Sequence, residues 1–320
     1  MRDMSTHLFE LIKKGLTINE ICELLNLSNK QIYNILRMIE NKGFEFDRKY
    51  YDNGNIIYKP KSNIKPIKQT NYVDIITENN NDFTAVAISD LHIGNEKQRL
   101  DAINKVYDYC AKTGIHNIFI CGDLIDGTYG DSNKIIKNPE QQIDFLLNNY
   151  PFDNSILNYA VLGDHDYSLL QETSQNLATT LKNYRHDIIP IGFGFGEINI
   201  KKRKIVLMHK FGYKYQNEYN AMTSAVSLHN DLVLQGHYHK PFSIENEKSN
   251  YIVNIPSLSD MRNLNAEPLP SAIKFEIQFH KNFYSQINFS KLLIDNNTVV
   301  VDENCKCIKL KTKNSGKKFF

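Results

Sequence analysis

Val86-Ala87-Ile88-Ser89-Asp90-Leu91-His92 is a short apolar run that ends on a carboxylate and an imidazole two positions apart. The same arrangement recurs. Ile118-Phe119-Ile120-Cys121 leads into Gly122-Asp123, and Tyr159-Ala160-Val161-Leu162 leads into Gly163-Asp164-His165-Asp166. Ile205-Val206-Leu207-Met208 ends on His209, and Leu232-Val233-Leu234-Gln235 ends on Gly236-His237-Tyr238-His239. Apolar runs of this length, bounded by turn residues, read as buried strands. Helical stretches such as 97–112 alternate with them, which predicts an α/β core with helices covering a mostly parallel sheet or sandwich. The chain after Ser271 alternates with period two at Ile273, Phe275, Ile277 and Phe279, as expected of terminal strands closing one sheet.

Polar side chains that follow strands gather at the carboxyl edge of a sheet, where α/β folds hold their ligands. In extended backbone, residues two apart project to one side, so Asp90 with His92, and His237 with His239, are expected to reach a common point. Mixed imidazole and carboxylate groups suit first-row divalent metals, and seven of them exceed what one tetrahedral site uses. Two ions are therefore expected. Held about 3.5 to 4 Å apart, such a pair can bring a bridging hydroxide onto phosphorus and stabilise the charge that develops. His7, His116, His186, His229 and His280 lie outside these strand ends and read as structural.

The composition is that of an ordinary globular protein: 320 residues, 41% hydrophobic, 23% charged, with a formal net charge of +2. The length allows one large domain and a small one. The near-neutral balance excludes a strongly basic, nucleic-acid-coating protein and leaves local clusters as the electrostatic signal. The five cysteines are scattered without a C-x-x-C pair and read as reduced thiols. With no signal-peptide core at Met1-Arg2-Asp3-Met4 and no run of 18 apolar residues, the expected setting is the cytoplasm, with no membrane partner.

Ahead of these strands, apolar residues recur at helical spacing at 8–12, 18–25 and 32–39. Thr17 with Glu20, and Ser28 with Gln31, look like capping boxes, while Gly15 and Gly43 read as helix stops. Around Asp52-Asn53-Gly54, the stretch 44–58 has the pattern of a hairpin. Three helices and a hairpin describe a winged helix, with Asn29 to Glu40 as its recognition helix. Lys30, Gln31, Asn34 and Arg37 on that helix, and Arg48 and Lys49 on the wing, are the expected nucleic-acid contacts. The expected boundaries are a winged helix at 1–58, a linker at 59–82, a catalytic domain at 83–308 and a lysine-rich tail at 309–320.

The order D-x-H, G-D, G-N-H-[DE], H, G-H-x-H resembles that of the calcineurin-like metallophosphoesterases, over about Phe83 to Phe279. The resemblance implies a β-sandwich flanked by helices, with Asp90, His92 and His239 on one metal, Asp123 bridging, and Asp164, His209 and His237 on the second. It further implies that His165 stands near the leaving oxygen, oriented by Asp166. The implied cofactors are two divalent ions, with manganese first and iron, zinc, nickel or magnesium as alternatives. One position departs from the pattern: Asp164 stands where the family has Asn, adding a negative charge and removing an amide donor.

A winged helix beside such a site suggests a nuclease or nucleic-acid phosphodiesterase, with nucleic acid and a phosphoester substrate as partners. The alternatives are a phosphatase or cyclic-nucleotide phosphodiesterase with a protein-binding winged helix, or an inactive DNA-bound scaffold.

Overall fold

The computed structural model describes residues 4–41, 44–61, 71–77, 82–129, 133–201, 203–210, 232–247, 250–260, 270–279, 284–295, 298–303 and 307–311. Gly43, His229, His280, Cys305, most of the expected linker and the end of the tail lie outside them. Among the described residues there are seven helices and two eight-stranded sheets.

The helices α1 (Met4–Lys13), α2 (Ile18–Leu25) and α3 (Asn29–Asn41) precede the hairpin β1 (Phe46–Tyr51) and β2 (Ile56–Pro60). The local signals act as the residues suggest. Gly15 takes a left-handed φ of 78° beyond α1. Thr17 caps α2 with Glu20 reaching back, and the Ser28 amide donates to Gln31 Oε1 at 2.9 Å. β3 (Tyr72–Ile76) follows, inside the stretch expected as linker.

The strands β4 (Phe83–Ile88), β5 (Asn117–Cys121), β6 (Leu157–Leu162) and β7 (Ile188–Phe193) are parallel neighbours. Between them run α4 (Leu100–Thr113), α5 (Pro139–Asn149), α6 (Asp164–Thr173) and α7 (Leu177–Tyr184). On the other edge β13 (Ser271–Phe279) pairs antiparallel with β4 and with β14 (Tyr284–Ile294), which carries β15 (Val299–Asp302) and β16 (Cys307–Lys311). The period-two stretch thus forms the terminal strands of one sheet.

The second sheet holds β8 (Phe195–Ile200), β9 (Arg203–Met208), β10 (Leu232–Gln235), β11 (Ser243–Glu247) and β12 (Asn250–Asn254). Its order, β11-β12-β10-β9-β8-β3-β1-β2, continues into the N-terminal hairpin through β3. The parallel strands bury both faces, which explains their unbroken apolar runs. Phe119, Tyr159 and Val161 turn inward between the sheets, in one core with Leu8, Ile32 and Leu36 of the N-terminal helices. Ile118, Ile120 and Leu162 turn outward under α4 to α7.

The N-terminal block sits at the amino edge of the parallel sheet. Asn117 Nδ2, at the start of β5, donates to the Asp52 carbonyl at 2.8 Å. Gly54, with φ 79°, lies against the Ser155 carbonyl just before β6, where any Cβ would collide. Tyr33 of α3 stacks on His186, just before β7, with ring centroids 4.0 Å apart. No helix among the described residues is long and apolar enough to cross a membrane.

Candidate metal centre

Asp90, Asp123 and Asp164 follow the carboxyl ends of β4, β5 and β6, while His209 and His237 follow β9 and β10 of the facing sheet. The two carboxyl edges converge because glycines let them. A Cβ on Gly122 would run into the His209 ring, and one on Gly236 would meet Ser89 Oγ and the Cys121 carbonyl.

Three potential ligand groups result among the described residues. Asp123, Asp164, His209 and His237 form one, Asp90, His92 and His239 a second, and His92 with Asp126 and His165 a third that shares His92 with the second. In the first, His209 Nε2 lies 3.0 Å from Asp123 Oδ2 and 3.2 Å from Asp164 Oδ1, and His237 Nδ1 lies 3.4 Å from Asp164 Oδ1. In the second, His239 Nε2 is 3.2 Å from Asp90 Oδ1 and 3.2 Å from His92 Nε2. Asp123 Oδ2 is also 3.8 Å from His92 Nε2, so this carboxylate stands between the groups.

The backbone that aims these side chains is not extended. Asp90, His92, Asp123, His237 and His239 all have left-handed φ values, 55°, 46°, 54°, 82° and 49°. Strand alternation is therefore not what brings Asp90 to His92, or His237 to His239. The strands have ended, and tight left-handed turns point both side chains inward. Each such residue costs on the order of 1 kcal/mol, strain that typically marks functional sites. Hydrogen bonds hold the turns: the Asp90 amide donates to the Gly122 carbonyl at 3.0 Å, and the His237 amide to Asp90 Oδ2 at 3.2 Å.

The donor set fits divalent cations. His209 Nδ1 donates to the Cys121 carbonyl at 2.6 Å, which turns Nε2 toward the carboxylates. That Nε2 is buried and satisfies no hydrogen-bond geometry, the condition of an atom awaiting a different partner. Burial raises the Asp90 and Asp164 carboxyls, but the imidazoles beside them, His239 for Asp90 and His209 and His237 for Asp164, outweigh it and hold both below the usual carboxylate range. Burial pulls the His209 imidazole down, but Asp123 and Asp164 outweigh it and raise it, so a proton there does the work of a cation.

His165 stands at the rim. Its Nδ1 donates to the Asp126 carbonyl at 2.7 Å, its amide donates to Asp123 Oδ1 at 3.1 Å, and its ring meets His92 and Tyr129 edge to face. Asp166 does not orient it. The Asp166 carboxylate is fully buried and accepts the amides of Leu124, Ile125 and Gly163 at 3.2, 3.0 and 2.9 Å. It clamps the turn after Asp123 onto the turn before Asp164. Burial, then the charge of Asp123, push its carboxyl up to about 7 against those three amides.

The residue that sequence reasoning missed is Asp126. Its Oδ1 lies 3.3 Å from His92 Nδ1 and accepts from Asn95 Nδ2 at 3.1 Å, while its carbonyl fixes His165. Its three-residue spacing from Asp123 was the available signal. At the opposite rim, the exposed Tyr238 ring has Lys210 Nζ 5.4 Å and Lys240 Nζ 5.1 Å from its centroid.

The six residues expected to touch nucleic acid lie away from these clusters. Lys30, Gln31, Asn34 and Lys49 are exposed, and the Arg37 guanidinium lies 5.2 Å from the Tyr184 ring centroid. Arg48 is not an open wing contact. It bonds Glu40 at 3.2 Å and lies over Tyr58, because the hairpin packs this side chain back onto α3.

The family model described as the calcineurin-like phosphoesterase superfamily domain matches residues 84–268, more than half of the chain. No curated protein matches significantly. Similar solved structures include vacuolar protein sorting 29 from Cryptosporidium parvum, at 14% identity and TM-score 0.42, covering 72% of this chain and 100% of that one. YfcE, a phosphoesterase from E. coli, aligns at 17% identity and TM-score 0.42, over 72% of this chain and 100% of that one. Vps29 from Chaetomium thermophilum aligns at 15% identity and TM-score 0.41, over 72% and 98%.

Proposed function

The chain belongs to the calcineurin-like phosphoesterase superfamily and is a metal-dependent hydrolase acting on ester bonds, and from that premise we propose that it cleaves phosphodiester bonds of nucleic acid. The observation that carries the two-metal part is the pair of ligand groups on either side of Asp123. Asp90, His92 and His239 would hold one ion and Asp164, His209 and His237 the other, with Asp123 placed to serve both. Two divalent ions bound there, manganese first, would lower the pKa of a water and offset charge on the phosphate.

The chain's own residues do the rest. Asp126 and Cys121, through the 3.3 Å and 2.6 Å contacts above, fix the ring orientations of His92 and His209. His165, held at Nδ1 by the Asp126 carbonyl, offers Nε2 toward the leaving oxygen, where it donates a proton or a hydrogen bond. Asp164 in place of the family Asn strengthens the hold on its cation and gives up a donor to the substrate phosphate.

Tyr238 supports a nucleotide-bearing substrate. An exposed ring beside the ligands, flanked by Lys210 and Lys240, offers a surface for a base and cations for neighbouring phosphates. The three helices, two of them capped, and the hairpin of the N-terminal block, read as a winged helix, support the same class. One observation favours the alternative, a small-phosphoester hydrolase whose N-terminal block binds protein or braces the fold. Tyr33, Arg48 and the hairpin turn are spent on internal contacts at the amino edge, away from the metals.

Assaying the manganese-loaded protein on single-stranded DNA, duplex DNA, RNA, cyclic dinucleotides and a chromogenic phosphodiester separates the readings. Cleavage of a polynucleotide supports the proposal. Turnover confined to cyclic dinucleotides or the chromogenic phosphodiester rejects it.

A further inference from the structure

A groove of about 490 Å³ opens between α3 and the segments that precede β6 and β7. It lies at the amino edge of the parallel sheet, whereas the ligand groups lie at the carboxyl edge. The six residues of β6, roughly 20 Å of extended chain, separate them. No residue of the metal centre lines it, whereas Lys30, Asn34 and Arg37, expected above to touch nucleic acid, do.

Its lining has a definite chemistry. Lys30 is exposed, and Arg37 lies over Tyr184. Arg185 is already satisfied, by Asp187 at 2.6 and 2.8 Å and by the Tyr150 and Pro151 carbonyls. The cationic capacity open to a ligand therefore rests on Lys30 and Arg37. Tyr184 and Phe152 are large aromatic rings left 61% and 51% exposed on the groove wall, the one beside Arg37 and the other beside Arg185, and together they offer apolar faces to a planar ligand. Asn34, Asn148 and Asn183 each bring a donor and an acceptor to the same space. Tyr33 stacked on His186 makes a rigid floor.

We infer that this groove is a second binding site, for a nucleotide: an aromatic base against Tyr184 and Phe152, its edge read by the asparagine amides, its phosphate held by Lys30 and Arg37. The volume lies within the roughly 300 to 1,000 Å³ common for small-ligand pockets. Because α3 forms one wall and the catalytic sheet's loops the other, a bound nucleotide bridges the N-terminal block and the body. The site stands whatever the metals hydrolyse.

The test is calorimetric titration of the chelator-treated 320-residue chain, in which hydrolysis is silent, with adenosine 5′-monophosphate, adenosine, inorganic phosphate and a 5′-phosphorylated five-residue oligo(dA). Saturable binding of the monophosphate, at least about tenfold tighter than adenosine or phosphate alone, is expected from loss of a charge-assisted contact or of stacking. A tighter oligonucleotide identifies the ligand as a strand end, and an equal or weaker one as a free nucleotide. Lys30→Ala, at an exposed position, should weaken binding about tenfold or more, and Tyr184→Ala likewise, with unchanged thermal melts. No saturable binding at millimolar concentration overturns the inference, as does binding that survives both substitutions, or tighter binding of a phosphotyrosine peptide. Since no turnover is read, these failures are distinct from failure of the phosphodiesterase reading.

Discussion

Tyr33 and His186 lie face to face, ring centroids 4.0 Å apart and 7° from parallel, and this stack joins α3 to the body at the start of β7. Tyr58 Oη completes the contact, 3.3 Å from His186 Nδ1.

The burial of His186 in this contact makes stability pH-dependent. Burial, reinforced by the charges of Arg48 and Arg37, lowers the His186 imidazole to about 3. The unfolded chain takes up this proton near pH 6.5, the folded chain only near 3, so the contribution is complete above pH 6.5 and is lost as the pH falls toward 3. The loss is up to about 1.4 kcal/mol per pH unit. Urea denaturation of metal-free protein at pH 7.5, 6.0 and 5.0 measures it. His186→Phe keeps the stack without the titration and should flatten the slope, and an unchanged slope excludes His186 as its source.

Asp166 should behave as a structural residue. Asp166→Ala strands three buried amides, at about 1 to 3 kcal/mol each. A clearly lower melting temperature together with weaker metal retention is expected. A variant that melts like the parent and loses only turnover would return Asp166 to a chemical role.

His165→Ala should lower turnover on a poor leaving group by about 100-fold or more, the usual share of proton transfer. The ring, 24% exposed, touches His92 only edge to face while Asp126 and Asp90 hold His92 from other sides, so metal content should hold. Loss of an ion from this variant identifies His165 as a ligand.

Tyr238→Ala separates substrate classes. KM for a single-stranded oligonucleotide should rise by about tenfold, at roughly 1 to 3 kcal/mol for a stacked base. Hydrolysis of a small chromogenic phosphodiester should change much less. Equal effects on both substrates would show that Tyr238 only braces His237.

The candidate ligands were legible because the signal is local: an apolar run, a turn, and a carboxylate or imidazole at the turn. The carboxyl-edge placement followed from the same pattern. The turns' left-handed backbone was not legible, since alternation at Asp90-Leu91-His92 reads as strand until the chain's contacts with Gly122 and Asp123 are known. Asp126 was hidden by the same limitation, its partners His92 and His165 being remote in sequence. Capping at Thr17 and Ser28 and the Gly54 hairpin are short-range features and were readable. The pairing of β3 with β8, which carries the hairpin into the second sheet, and the docking of Tyr33 on His186 join residues more than a hundred positions apart and left no local trace.

The central claim is that Asp123 joins two metal sites. Metal analysis of the parent and Asp123→Asn proteins by plasma mass spectrometry, with turnover on a chromogenic phosphodiester, tests it most directly. The expected parent carries about two divalent ions per chain, and the variant, with a neutral side chain between the ligand groups, loses one or both and about 100-fold or more in turnover while keeping its fold. Two retained ions with undiminished turnover in Asp123→Asn would contradict the account.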